Sequence, residues 1–296
     1  MPDQGGLQHY LSEIKSGRIK IDDLPKIFKN SEEYKGLQQL KHGCIYTAHG
    51  IKMYLDKNDT VVSRTLATNK IWEEHETNFL SSIITKGMKV VDVGAQIGYY
   101  SLLFSKWIGK TGKVFCFEPD PDNYRLLKRN IEANQARNII PIQKAISNYN
   151  GKTILFQSND NKGDHRIIDF YVFDKDNKRK KFEVECITLD SVFATEQKLD
   201  FIKMDIQGAE MLAFDGMTEL LHRNSSISLL IEFWPFAIEK SGYSPTELIE
   251  RIHQFEFDIF FFENDKKQPF PNDHQIISNY LSTDYVNLFC KKSLLR

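Results

Sequence analysis

The sequence predicts an α/β fold: a doubly wound, mostly parallel sheet of roughly seven strands, Rossmann-like, with an inserted β-hairpin segment and an N-terminal helical and hairpin extension. Two observations carry that prediction. From Lys89 onward, short apolar runs alternate with helical stretches, the rhythm of strands joined by helical crossovers. At the first strand-to-helix turn the chain reads Val90-Val-Asp-Val-Gly-Ala-Gln-Ile-Gly98, with glycines where an open α/β sheet brings its backbone close to a ligand.

In chain order, residues 1 to about 45 are polar and lysine-rich, with Leu7, Leu11 and Ile14 at helical spacing. Alternation on both sides of Asp56-Lys-Asn-Asp59 predicts a hairpin over Ile51 to Leu66, and Trp72 to Ile84 reads as a helix stopped near Gly87. The sheet starts with Lys89 to Val93, a helix from Tyr99 to Trp107, a strand at Lys113 to Phe117, a helix ending near Asn134, and a strand at Ile139 to Ile146. Between residues 151 and 192 the pattern changes to an antiparallel hairpin system, with a strand at Asp169 to Phe173 and a charged loop at Asp174 to Lys181. Parallel crossovers resume with Phe201 to Asp205, a helix from Ala209 to Leu221, Ile227 to Phe233, and a helix from Pro245 to Phe255. Two closing runs, Asp258 to Phe262 and Tyr285 to Lys291, suit an antiparallel edge. Residues 1–70 are thus expected to form the extension and 71–296 the catalytic domain, with its insertion at about 151–192.

Composition narrows the function. Lysine and arginine number 39 against 40 acidic residues, so no broad field draws in nucleic acid or an anionic membrane. A small-molecule or saccharide partner is the expectation, with a homo-oligomer left open. Cys44, Cys116, Cys186 and Cys290 are widely spaced, which fits neither a zinc site nor a disulfide framework; Cys116 and Cys290 lie in apolar runs and read as packed thiols. There is no apolar stretch of about 18 residues and no basic start followed by an apolar run, so a cytoplasmic protein is expected.

The glycine turn alone suits several nucleotide-like cofactors. Its spacing, Gly94-Ala95-Gln96-Ile97-Gly98, departs from Gly-x-Gly-x-x-Gly, and Asp92 at the strand tip would repel a pyrophosphate but suits a cationic amino acid bearing a sulfonium. Glu118, about 20 residues on at the end of the next strand and followed by Pro119, can accept both hydroxyls of a ribose, whichever cofactor carries it.

The combination Asp92-Val-Gly-Ala-Gln-Ile-Gly-Tyr-Tyr100, Phe117-Glu-Pro119, Ile187-Thr-Leu-Asp190 and Ile202-Lys-Met-Asp-Ile-Gln-Gly-Ala-Glu210 resembles the FkbM family of methyltransferases, in order from about Trp72 to Phe233. The resemblance implies a class I S-adenosylmethionine-dependent fold and, most often, O-methylation of a sugar, glycan or hydroxylated natural product. It implies a cofactor site at Glu76, Asp92, Gly94, Ala95, Gln96, Gly98, Glu118, Pro119, Ala145 and Asp205. This chain departs from the family at Gln207, where many members carry an acid.

Methyl transfer to a hydroxyl calls for alignment and for a base or a Lewis acid. His165, with Asp164 orienting it, is the expected base; Asp205 is expected to hold the methionine part of the cofactor or to orient the acceptor, and Arg166, Glu210, Glu232 and Trp234 are expected around the acceptor. Asp205 and Glu232, both at strand ends, are a candidate pair for a divalent cation such as magnesium. Against this stand an N-methyltransferase of a small molecule or RNA, a non-catalytic S-adenosylmethionine-binding module, and an NAD-dependent dehydrogenase.

Overall fold

The computed structural model describes residues 4–31, 34–36, 38, 40, 43–169, 179–195, 198–263, 266–270 and 285–292. The extension holds two helices, α1 (Gln4–Lys15) and α2 (Leu24–Asn30), and a two-stranded hairpin, β1 (Cys44–Tyr46) and β2 (Lys52–Tyr54). Helices α3 (Val62–Asn69) and α4 (Glu74–Ile83) lead into the main sheet. The hairpin lies earlier than the sequence predicts. Gly50, with φ +72°, makes the turn, and Asp59, expected in a hairpin loop, caps α3 by accepting the Ser63 N–H at 2.7 Å. The same hydrogen-bonding residue serves a turn or a helix start, and alternation over a few residues does not separate them.

The main sheet runs through β3 (Lys89–Val93), α5 (Tyr99–Ile108), β4 (Lys113–Phe117), α6 (Pro121–Ala133) and β5 (Ile139–Ile142). A three-stranded insertion follows: β6 (Ala145–Ile146), β7 (Gly151–Gln157) and β8 (Lys180–Ile187) in the order β6-β8-β7. The stretch read as one strand over Ile139 to Ile146 therefore serves two sheets. The strand expected at Asp169 to Phe173 and most of the charged loop fall at residues 170–178, outside the described residues.

After α7 (Leu189–Val192), the chain re-enters the sheet at β9 (Phe201–Met204) and continues through α8 (Glu210–Asp215), α9 (Thr218–Arg223), β10 (Ser228–Phe233), α10 (Pro235–Lys240) and α11 (Pro245–Gln254). The edge is β11 (Phe257–Glu263), β12 (Lys266–Pro269) and β13 (Val286–Lys292). The helix expected over Ala209 to Leu221 is two helices, because Asp190 caps the second from outside: its carboxylate accepts the N–H of Glu219 at 3.1 Å and of Leu220 at 2.7 Å. Helix α10 and strand β12, both short, were not legible in the sequence.

Strand order is β12-β11-β13-β10-β9-β3-β4-β5, with β10, β9, β3, β4 and β5 parallel and β13 antiparallel to β10 and β11. This is the doubly wound α/β architecture the sequence predicts, with one further edge strand. The chain leaves β3 in one direction toward β5 and returns on the other side at β9, so the topological switch point lies between β3 and β9, where such sheets bind ligands. Central strands are buried on both faces, and β3 and β9 accordingly read as apolar runs, broken by Asp92 and Lys203. Ile45, Met53 and Leu66 share an apolar core with Leu80, Val90 and Leu103, so the hairpin and α3 pack on the sheet. Asn130 and Asn134 of α6 fix the hairpin by pairing with the backbone of Tyr54 and Lys52. Cys116 and Cys290 are buried thiols.

Candidate functional site

At the switch point β3 ends in Asp92 and Val93 and the chain turns at Gly94. The N–H groups of Gly94 and Ala95 both donate to the Phe117 carbonyl, at 3.1 and 2.9 Å, and the Asp205 N–H donates to the Val93 carbonyl at 3.0 Å. This crossing leaves no room for a side chain: a Cβ on Gly94 would sit 1.9 Å from the Asp205 carbonyl oxygen, and φ is +87°. Gly98, by contrast, meets Leu127 of α6 and lines neither cavity described below; the structure gives it a packing role in place of the expected cofactor contact.

Two adjoining cavities open here, sharing Gly94, Gln96, Gly163 and Asp205. The narrower is lined by Glu118, Pro119, Ala145, Ile146 and His165. Both Glu118 oxygens accept backbone N–H bonds, from Gln96 at 2.8 Å and Asp120 at 2.9 Å, which fixes the carboxyl while leaving a lone pair on each oxygen. Burial pushes its pKa up to about 8 against the pull of those donors. The larger cavity, about 300 Å³, is lined by Glu73, Asp92, Tyr100, Arg166, Lys203, Gln207, Glu232 and Trp234. Residues 59 and 60 hold the 158–166 segment beside it: Asp59 accepts the Lys162 N–H at 3.2 Å and Thr60 donates its N–H to the Asp160 carbonyl at 2.8 Å.

Charges in the larger cavity are organised around Lys203. This buried ammonium donates to Asp205 Oδ2 at 3.1 Å and sits 4.7 Å from the Tyr100 ring centroid. Burial opposes its charge, but Asp205, Glu73 and Asp92 outweigh burial and raise its pKa. Tyr100 donates to Glu73 Oε2 at 2.8 Å, and Gln207 Nε2 donates to Asp205 Oδ1 at 2.9 Å and to Glu232 Oε2 at 2.8 Å. Burial, then repulsion from Asp205, Glu210 and Glu73, pushes the Glu232 pKa well above the carboxylate range, while Lys203 opposes the shift. In the same lining, the Arg166 guanidinium is 5.2 Å from the Trp234 ring centroid, within cation–π range.

The cofactor class expected from the sequence can be tested against this cradle. Asp92 Oδ2 accepts from Ser101 Oγ at 2.5 Å, while Oδ1 is buried with no partner; Gln96 Nε2 is buried and unpartnered as well. A buried acceptor and a buried donor left unmatched beside a glycine turn fit a ligand carrying both a cationic amino group and polar acceptors. The residues present thus fit S-adenosylmethionine. The Asp205–Glu232 pair fits a cation less well, because the amide of Gln207 already donates to both carboxylates. Among the described residues there is no group of three His, Cys, Asp or Glu side chains able to hold a metal ion.

Several expected residues stand elsewhere. Glu76 lines neither cavity; its Oε1 accepts from Asn287 Nδ2 at 3.3 Å, and Glu73 takes its place because it precedes α4 in a left-handed conformation, φ +43°. The pairing of His165 with Asp164 is not formed. His165 Nδ1 accepts the Ser158 N–H at 3.0 Å, its Nε2 lies 3.6 Å from Asp120 Oδ2, and burial, with Lys162 and Arg179 nearby, lowers its pKa to about 3. A ring so placed has no available basic nitrogen, and it lines the narrower cavity, whereas Glu232 lines the larger. Asp164 instead binds two arginines, Arg166 at 2.5 Å and Arg179 at 2.6 Å. Glu210 is fully buried behind the loop, where Oε1 accepts the Ile206 N–H at 3.1 Å, so it braces the turn and does not reach an acceptor. Sequence reasoning missed Glu73, Tyr100 and Lys203. The last left a signal: a lysine inside an otherwise apolar central strand needs a buried counter-charge.

Comparison with known proteins identifies the family. Residues 92–259, more than half of the chain, match the family described as Methyltransferase FkbM domain. Residues 14–146 match that of protein-L-isoaspartate(D-aspartate) O-methyltransferase. A protein-L-isoaspartate O-methyltransferase of Methanothrix thermoacetophila is 32% identical over 56 residues, 19% of this chain and 27% of that relative, so the chain matches about a quarter of the relative's length. Among solved structures, methyltransferase FkbM of Methylobacillus flagellatus is 16% identical, with 86% of this chain and 58% of that chain covered and a TM-score of 0.43. An S-adenosylmethionine-dependent O-methyltransferase of Thermotoga maritima is 11% identical, with 86% and 78% covered and a TM-score of 0.45. Among the described residues, no helix is long and apolar enough to cross a membrane. With the family match spanning both strand ends of the switch point, the chain belongs to the FkbM family of methyltransferases.

Proposed function

We propose that this protein transfers the methyl group of S-adenosylmethionine to a hydroxyl of a small polyhydroxylated acceptor, a sugar or a hydroxylated natural product. The observation that carries the reading is the pairing of cavities across Gly94 and Asp205: a narrow one with a ribose-binding carboxylate, Glu118, and a wider one with Glu232 beside an aromatic wall, Trp234. The cofactor supplies an electrophilic methyl on a sulfonium. Asp92, Gly94, Gln96, Glu118, Pro119 and Ala145 would hold it, Asp92 through its unpartnered oxygen.

The rest falls to the acceptor cavity. Trp234 offers a flat apolar face to a sugar ring, and Asp205, fixed by Lys203 and Gln207, orients one hydroxyl. Glu232 replaces His165 as the proposed base. One of its oxygens is held by Gln207 and its pKa is raised, so the ionised form is a stronger base than an ordinary carboxylate and can take the hydroxyl proton as the O–methyl bond forms. Arg166, bound by Asp164 and close to the Trp234 ring, completes the wall beside it.

A carboxylate acceptor is a second reading, favoured by the cations Lys203 and Arg166 in the cavity and by the match of residues 14–146 to isoaspartate methyltransferases. The chemistry of the product separates the two. Radiolabelled methyl transferred to a sugar hydroxyl is expected to survive mild alkali as an ether, whereas label released as methanol would be an ester and would contradict the hydroxyl reading.

The division of the chain proposed with this function keeps residues 1–70 as an extension that supplies Val61 and Val62 as neighbours of the cavity from just inside its boundary, and residues 71–296 as the catalytic domain. A cytoplasmic location and a possible homo-oligomer belong to the same proposal.

A further inference from the structure

Gln207 occupies a backbone position that a residue with a β-carbon rarely adopts. It lies two residues after Asp205 on the turn between β9 and α8, with φ +57°, and is followed by Gly208 at φ +101°. That turn delivers its amide between carboxylates from two strands: Nε2 is 2.9 Å from Asp205 Oδ1 and 2.8 Å from Glu232 Oε2. A primary amide has two N–H bonds, and these contacts use both.

Two carboxylates gathered on one nitrogen would otherwise repel each other. The groups that ordinarily hold such a pair together are a shared proton or a hard cation bound through oxygen. Here the intervening position is filled by a neutral donor. Other charges face the pair from neighbouring elements: Lys203 from β9, Glu73 before α4, and Glu210 from α8. Lys203 already binds the far oxygen of Asp205, so that carboxylate holds an ammonium on one oxygen and the amide on the other.

We propose that the Gln207 amide is the positioning group of the Asp205–Glu232 pair, serving by hydrogen bonding where a divalent cation would serve by charge, and that the residue type at position 207 decides whether this site takes a metal. The inference rests on the reading of Asp205 and Glu232 as the acceptor end of the site. A glutamate here would present a third carboxylate to the other two, an all-oxygen set suited to Mn²⁺ or Mg²⁺.

The test titrates Mn²⁺ alone into the wild type, Gln207→Glu and Gln207→Leu, each saturated with S-adenosylhomocysteine, followed by calorimetry and by the electron paramagnetic resonance spectrum of the ion. Equal S-adenosylhomocysteine affinities in the three proteins report that the variants are folded. The expected result is a bound-ion spectrum and saturable heat in Gln207→Glu, with neither in the wild type nor in Gln207→Leu. Wild-type protein that binds Mn²⁺ as tightly as Gln207→Glu, or a folded Gln207→Glu that does not bind it, overturns the proposal. Because this titration needs no acceptor, failure of the Glu232 assignment in turnover assays leaves its outcome untouched, and the two failures are distinguishable.

Discussion

Gly94→Ala is expected to abolish cofactor binding, and to do so without touching a single polar group of the site. The added Cβ would lie 1.9 Å from the Asp205 carbonyl oxygen, far inside van der Waals contact, at a φ of +87°. The left-handed backbone alone costs a residue with a β-carbon about 1–2 kcal/mol. The overlap cannot be relieved by rotating a flexible side chain, because the obstructing atom is backbone. Either β3 and β9 separate or the turn refolds, and both moves displace Asp92 and Asp205 together. Thermal melting should report destabilisation of about 3 kcal/mol or more, the range reserved for named steric mechanisms. Calorimetry should find no S-adenosylhomocysteine binding in whatever fraction stays folded. A well-folded Gly94→Ala with native affinity would show that the crossing is looser than described.

Glu232→Gln carries the second large effect. The substitution preserves shape but removes the proposed base, and general base catalysis typically contributes about 10²–10⁴-fold. A loss of kcat of that size is expected for methyl transfer to a hydroxyl acceptor, with cofactor affinity unchanged. The pH dependence has a definite sign. Glu232 must be ionised to accept a proton and its pKa is raised, so the wild-type rate should climb as pH rises through that elevated value. That limb should vanish in Glu232→Gln and persist in His165→Gln, since burial holds the imidazole neutral with a pKa of about 3. Persistence of the limb in Glu232→Gln together with its loss in His165→Gln would return the base to the histidine.

The parts of the molecule that were legible in the sequence are those set by local pattern. Strands β3 and β4 fall on the predicted residues because a buried parallel strand reads as an apolar run bounded by turns. Asp92 and Glu118 follow from them, since a residue at the end of such a strand reaches the ligand-binding edge whatever the loops do. Phase within a helix turn was harder. Among the acids of Trp72-Glu-Glu-His-Glu-Thr, only the left-handed entry into α4 brings Glu73 to the cavity and sends Glu76 toward Asn287. His165 shows the same limit in a loop, because Ser158, Asp120 and Arg179 decide its environment, and none of them adjoins it in the chain. Gln207 read as the loss of an acid; its partner Glu232 is 25 positions away, and only the fold brings the two within hydrogen-bonding distance.

Lys203 ties these observations together. A buried cation costs several kcal/mol of desolvation unless matched, and here Asp205, Glu73 and Asp92 match it. It keeps a carboxylate-rich cavity from depending on protons alone for its neutrality.

The central claim is that the strand ends of β3 and β4 form an S-adenosylmethionine site, and the measurement that tests it most directly is calorimetric titration of the wild type and of Glu118→Ala with S-adenosylhomocysteine, and separately with NADH. Saturable binding of S-adenosylhomocysteine to the wild type is expected, with no binding of NADH and, at a pH above the raised Glu118 pKa of about 8 where the carboxylate is charged, a loss of roughly 10- to 100-fold in Glu118→Ala. Binding of NADH in place of S-adenosylhomocysteine, or S-adenosylhomocysteine affinity unchanged by Glu118→Ala, would contradict it.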